Sequence, residues 1–216
     1  MHLYSKKGHD LQLNDGPCDE LDKVRVGKVI KLHPMDFAGI KPKLLVSEGS
    51  EVRKNQPVYY DKNNPDVMFT SCASGIVSKI VYGERRLIQS IEIELVDNNN
   101  EIIFSKYESE EIKNLQKEKI LETLCKSGCW PSIRRRPFSK IAIPGILPKS
   151  IFITTQSTAP YSPSLQVMHD NININEVQAC IDALRVLTNV PVHMVIPDDK
   201  QYPLFYDLKE INIHTF

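Results

Sequence analysis

Between residues 43 and 95 the apolar residues come in short alternating runs, and each run is cut off by turn residues. The breaks fall at Glu48-Gly49, Asn63-Asn64-Pro65, Ser74-Gly75 and Tyr82-Gly83. A period of two interrupted this often is incompatible with helix and describes a small barrel or sandwich folded from hairpins. The last strand is expected to point Ile91, Ile93 and Leu95 inward, and Ile102, Ile103 and Phe104 close the unit. Upstream, residues 24–30 alternate like a strand, and residues 33–39 read as a loop broken by Pro34 and Gly39.

The texture changes near Ser105. Ser109-Glu110-Glu111 precedes Ile112, Leu115, Ile120, Leu121 and Leu124, a spacing that lines one helical face. Ser109 is the expected N-cap and Gly128 marks the expected end of that helix. Residues 150–155, 192–196 and 211–216 have strand patterns. Between them, Asn173 or Asn175 can cap a helix carrying Val177, Cys180, Ile181, Leu184 and Leu187. Strands alternating with a helix predict a parallel α/β unit. The expected architecture is mixed α and β, with a β domain over residues 1–104 and an α/β domain over 105–216. The strand pattern runs to the last residue, which reads as part of a longer protein; a strand that simply ends there is the plainer alternative.

Composition removes several function classes. The 216 residues carry 27 Lys+Arg against 27 Asp+Glu, so there is no basic excess to hold a nucleic acid. No apolar run approaches the roughly 20 residues of a spanning helix, and nothing after Met1 resembles a signal peptide. Five scattered cysteines, Cys18, Cys72, Cys125, Cys129 and Cys180, suggest reduced thiols.

The phrase EGSEVRKNQPV, a short strand and then Ser74-Gly75-Ile76-Val77 is also the rhythm of a biotinyl or lipoyl carrier domain. A carrier needs one lysine at the hairpin tip. Here that slot falls near Asn64 or Pro65, Lys62 is off position, and Pro65 stiffens the turn. The scaffold is expected without the swinging arm. The strand at residues 151–155 is followed by Gln156-Ser157-Thr158, and neither G-x-G-x-x-G nor G-x-x-x-x-G-K-[ST] occurs, so a phosphate-cradling loop is not supported. Cys125-x-x-x-Cys129 has no second pair, His193 and His214 sit on strands, and no G-x-S-x-G elbow is present. No catalytic residue and no metal ligand is predicted. One segment stands out: Trp130-Pro131-Ser132-Ile133-Arg134-Arg135-Arg136-Pro137-Phe138-Ser139-Lys140. It reads either as a solvated basic linker or as a loop that binds carbonyl oxygens beside an apolar wall, the chemistry of a quinone.

Together these phrases resemble the N-terminal half of the A subunit of the sodium-translocating NADH:quinone reductase. The matching residues are Lys6-Lys7-Gly8-x-Asp10-Leu11, Gly39-Ile40-Lys41-Pro42, Glu48-Gly49-x-x-Val52, Asp61-Lys62-x-Asn64-Pro65-x-Val67-x-Phe69-Thr70, Ser74-Gly75-x-Val77 and Gly83-x-x-Arg86-x-x-Gln89-Ser90. The most specific are Ser127-Gly128-x-Trp130, Arg134-x-Arg136-Pro137-Phe138-Ser139-Lys140 and Ile151-Phe152-Ile153-Thr154. The resemblance implies a barrel-sandwich hybrid domain followed by a Rossmann-like domain, incomplete at its C-terminus. It implies a peripheral, cytoplasm-facing part of a six-subunit bacterial inner-membrane complex that passes electrons from NADH to ubiquinone and exports sodium. It also implies that flavins and iron centres sit on partner subunits and that this chain holds no redox cofactor. The flavin-binding subunit of respiratory complex I is a more distant likeness. Its glycine-rich loop corresponds here to residues 127–134, where Trp130 replaces the small residues.

By the same resemblance, ubiquinone contacts are expected from two segments. Residues 33–40 would supply His33, Met35, Phe37 and Ile40, although paired acids and a tyrosine-like position are replaced by His33-Pro34-Met35-Asp36-Phe37. Residues 133–140 would supply Arg134, Arg136, Phe138 and Lys140, with Trp130 beside them. Arg134, Arg136 and Lys140 would polarise the quinone carbonyls, and Phe138 and Trp130 would pack on ring or tail. The two segments are expected to approach each other across the domain junction. The alternatives are an interaction module that docks this basic loop onto an acidic partner, and a biotin- or lipoyl-type carrier.

Overall fold

The computed structural model describes residues 27–96, 100–155, 161–162, 165–197 and 202–215. The predicted strand residues 24–26, Cys18, part of the turn at 97–100, the loop at 156–160 and Phe216 lie outside them. The chain divides into two compact units. One, the β unit, comprises Arg25–Lys106 and Lys117–Ile146; the other, the α/β unit, draws on Tyr107–Gln116 and Leu147–Phe216.

The β unit contains β1 (Val29–Leu32), β2 (Pro42–Leu44), β3 (Glu51–Val52), β4 (Pro57–Asp61), β5 (Asn64–Thr70), β6 (Gly75–Tyr82) and β7 (Ile88–Leu95). They form a four-stranded sheet in the order β1-β7-β6-β3 and a three-stranded sheet in the order β2-β4-β5. Every pairing in both is antiparallel. The alternation read from the sequence is the inside-outside alternation of these strands. Val58, Val67, Phe69, Val77, Ile91 and Ile93 are buried, while Leu95 is only half-buried. In β6 the buried positions jump from Val77 to Ile80, because the register with β7 shifts between Val77 and Lys79. An extra residue there turns the pleat over, which a simple period of two does not anticipate.

The single helix expected from Ser109 onward is two helices, α1 (Ser109–Ile112) and α2 (Lys117–Lys126), and they belong to different units. The N-cap of α1 is Glu108, which forms a reciprocal capping box with Glu111. The Ser109 hydroxyl is used elsewhere: it donates to the Asp182 carboxylate. Helix α2 lies in the β unit, and beyond its C-terminus come β8 (Arg134–Arg135) and β9 (Lys140–Ile141), a small antiparallel hairpin. Gly128 has φ +77°, and a Cβ there would sit 2.5 Å from Thr70 Oγ1 and 3.2 Å from its Cγ2. Glycine lets the helix end turn left-handed and lie directly on β5.

The α/β unit has β10 (Ile151–Thr154), α3 (Leu165–Asn171), α4 (Ile174–Thr188), β11 (Val192–Ile196) and β12 (Asn212–Thr215). Its three strands are parallel, as the alternation predicts, and lie in the order β10-β11-β12. Asn173 caps α4 by accepting from the Asn175 N–H at 3.1 Å. Helix α3 was not legible in the sequence. The core gathers Leu165, Ile181, Met194, Ile196, Tyr202, Phe205 and Leu208. Asp182 on α4 is 1% exposed and is satisfied by the Ser109 hydroxyl and by Gln178 Nε2 at 3.0 Å, with Lys113 Nζ at 3.8 Å. A buried carboxylate is tolerated only with such partners, and here they tie α1 to α4.

Two tests follow from the α2 region. Gly128→Ala adds a left-handed alanine and a clash with Thr70, and should cost about 1–3 kcal/mol. Gly49→Ala shares a positive φ of +84° but meets nothing within 4 Å, so thermal denaturation should show the smaller loss for it. Burial, and then the Asp66 charge, push the Cys125 thiol up to about 11. Cys72 and Cys129 are exposed. Iodoacetamide at pH 8 on the folded chain should label those two together with Cys180, which is exposed as well, and spare Cys125, read by peptide mass.

Candidate functional site

The segment at residues 33–40 starts where β1 ends against β7. Leu32 pairs with Ile91, which sets the next residue, His33, beside Gln89; its Nδ1 lies 3.2 Å from the Gln89 carbonyl oxygen and donates to it. A single 3-10 turn over Pro34–Asp36 follows, favoured by proline at its first position. Pro34 is buried, whereas Met35 is 59% exposed and Asp36 is exposed. Phe37 returns inward and is half-buried, as is Ile40.

Phe37 meets a ladder of aromatic rings. Its edge packs on Phe69 with centroids 4.8 Å apart, and Phe69 stacks on Tyr59 at 4.5 Å and 9°. Tyr59 and Phe69 are register partners on β4 and β5, so the stack is a cross-strand pair. Burial, and then the Asp36 charge, hold the Tyr59 phenol well above its ordinary pKa, so it stays protonated.

The second segment is carried by the β8–β9 hairpin. Trp130 precedes it and is 5% exposed, and its Nε1–H donates to the Ala142 carbonyl at 2.8 Å. Further bonds from Ile133 N to Trp130 O (2.9 Å) and from Ala142 N to Ile133 O (2.9 Å) frame the hairpin base. Arg135 pairs with Lys140 in register, and Arg134 Nη1 donates to the Ser139 carbonyl at 3.2 Å. The tip, from Arg136 to Ser139, is exposed, and Phe138 reaches 78% exposure.

The two predicted segments meet. The Arg134 guanidinium lies over the Phe37 ring, 5.5 Å from its centroid, a cation–π contact. The Lys140 stem runs past Gly39, where a Cβ would stand 3.7 Å from Lys140 Cε. Both segments belong to the β unit, so the meeting is internal to it and not across a domain junction as expected, because residues 117–146 cluster with the β strands. His33, Met35, Arg136, Phe138 and Lys140 are exposed around this contact, and Arg134 and Phe37 make it. Trp130 is placed differently: its ring is in the core, where it supports the hairpin. Tyr59 and Phe69, which back Phe37, were not singled out from the sequence. Their signal was there in two aromatics flanking the short turn after Asp61.

That turn differs from an extended carrier tip. Asp61 is buried, and its Oδ1 accepts from Lys41 N (2.9 Å) and Asn63 N (3.0 Å), while Oδ2 accepts from Asn64 Nδ2 (3.1 Å). Lys62 N donates to the Lys41 carbonyl at 2.8 Å. The tip is bonded back onto the strand that follows Gly39. A concavity of about 560 Å³ lies elsewhere, lined by Lys54, Cys72, Ser74, Val96 and Glu101 among others. It is open to solvent and gathers no aromatic or guanidinium group, so the chemistry favours the Phe37–Arg134 face over this concavity. Among the described residues no cluster of three metal-ligating side chains occurs, and no helix is long and apolar enough to cross a membrane.

Comparison with known proteins agrees with this architecture. Residues 3–96 match the family model of the NqrA N-terminal barrel-sandwich hybrid domain, and residues 115–216 match that of the NqrA second alpha/beta domain. Among curated proteins, the A subunit of the Na(+)-translocating NADH-quinone reductase of Yersinia pseudotuberculosis serotype O:1b is 38% identical over 185 residues, covering 86% of this chain and 40% of that protein. Its counterpart in Marinomonas sp. (strain MWYL1) is 36% identical over 184 residues, covering 85% and 40%. That of Histophilus somni (strain 2336) is 33% identical over 214 residues, covering 98% and 47%. The chain thus spans less than half the length of these relatives. With both domain models matched in order, a barrel-sandwich hybrid and then an α/β domain, the chain belongs to the NqrA family, the A subunits of the Na(+)-translocating NADH-quinone reductase.

Proposed function

We propose that this chain works as part of a sodium-translocating NADH:ubiquinone reductase, as a peripheral piece on the cytoplasmic side of a bacterial inner membrane. In this reading it is an element of an enzyme complex and has no redox chemistry of its own. NADH, flavins and iron centres act on partner subunits, and the chain helps to receive ubiquinone and to assemble the complex. The domain boundary of this reading falls near residues 104 and 105, with residues 117–146 packed back onto the β unit.

The observation that carries the quinone reading is the Arg134–Phe37 contact, which joins two segments distant in sequence. A quinone needs donors for its carbonyl oxygens and an apolar surface for its ring. Arg136 and Lys140 are exposed donors, Phe37 and Phe138 supply aromatic surface, and Met35 adds a polarizable apolar group. Arg134 is held over the Phe37 ring and bonded to Ser139, so its fork is preorganised. Trp130 acts from beneath as a positioning residue.

Titration of a water-soluble short-chain ubiquinone against the chain tests this reading. Arg136→Ala should weaken binding roughly tenfold, the loss expected for one charged donor, with the melting temperature unchanged because Arg136 is exposed. Saturable binding that is indifferent to Arg136, Lys140 and Phe138 substitutions alike would place the quinone elsewhere. Absence of binding would overturn the quinone reading.

A further inference from the structure

We infer that the β8–β9 hairpin is a membrane-surface contact, docking on anionic lipid headgroups with Phe138 as its interfacial anchor. The inference goes beyond the quinone reading and does not need it. Its basis is the way the hairpin distributes charge and apolar surface. The chain as a whole has no net charge. Yet the two meeting segments bring together Arg134, Arg135, Arg136 and Lys140 against one carboxylate, Asp36. Arg135, Arg136 and Lys140 are exposed, and none has an acidic partner among the described residues.

At the tip between these cations stands Phe138, 78% exposed, next to Pro137. A phenylalanine left in water on a two-residue-wide hairpin does nothing for the fold. Rimmed by guanidinium and ammonium groups, it matches the interfacial zone of a bilayer, where an aromatic ring enters the headgroup boundary and cations meet phosphates. Met35, on the facing segment, is a second exposed apolar side chain on the same kind of surface. An acidic protein surface would complement the cations but gives no reason for so exposed a ring. Charge and ring together favour the lipid.

The hairpin is also built to stay open-handed while it docks. Its base is secured by Trp130 through Ala142 and by Arg134 through Ser139, which lowers the cost of ordering the tip on docking. A rigid presentation of this sort makes single-residue changes at the tip readable without unfolding the rest.

The test is vesicle co-sedimentation of the full chain, with vesicles free of quinone so that the outcome is separate from the quinone titration. Vesicles of phosphatidylcholine with phosphatidylglycerol should pull down the chain, and phosphatidylcholine alone should not. Binding should collapse near 1 M salt, where the Debye length shrinks to about 3 Å. The double change R135A/R136A should lower partitioning about tenfold or more, and F138A should lower it severalfold with the same circular dichroism spectrum as wild type. Failure to bind anionic vesicles, equal binding to neutral ones, or binding unmoved by either variant would overturn the inference. The first of these outcomes would assign the hairpin to an acidic protein surface instead.

Discussion

The indole of Trp130 is the interaction on which the candidate site depends. It follows the end of α2, which Gly128 lets close onto Thr70, and it donates into the far side of the hairpin at Ala142. A buried N–H must find an acceptor or carry a desolvation cost of about 1–3 kcal/mol. The indole therefore holds the two ends of the 130–142 loop in one relation. Arg134 departs from this frame at a defined place, and that place is above Phe37. The bulky residue that excludes a glycine-rich loop here has a structural task of its own.

Below the site, the aromatic ladder transmits the same order into the β unit. Phe37 is held by Phe69 and Phe69 by Tyr59, each at a separation where edge or offset packing is favourable. The Asp61 turn bonds the β4–β5 hairpin to Lys41 and so holds one end of residues 33–41, while the His33–Gln89 bond holds the other. A loop with Met35 and Asp36 exposed at its turn is thereby tied down at its base.

The α/β unit solves a separate problem. Its parallel sheet needs helices on its faces, and α4 covers one with Ile181 and its neighbours. The buried Asp182 then recruits Ser109 and thus α1, a piece of chain that precedes α2 and yet packs with the later unit. This is why a single helical stripe in the sequence is cut in two. The apolar steps from Ile112 to Leu115 and from Ile120 to Leu124 are helical, but the step of five between Leu115 and Ile120 falls where the helices part, and the two halves belong to different units.

The sequence by itself determined the hairpin rhythm of residues 43–95, the parallel character of the last three strands and a helix cap at Asn173 or Asn175, because these depend on periodicity and on neighbours a few residues away. The basic-aromatic segment and the loop at residues 33–40 were legible as candidates for the same reason: their chemistry is written in contiguous residues. Only the tertiary structure decided that Arg134 rests on Phe37, that Trp130 is buried, that Tyr59 and Phe69 stand behind Phe37, and that Ser109 serves Asp182 instead of capping a helix. Those are contacts between residues distant in the chain. They are set by which surfaces bury each other after the strands and helices have formed, and no local pattern encodes that choice.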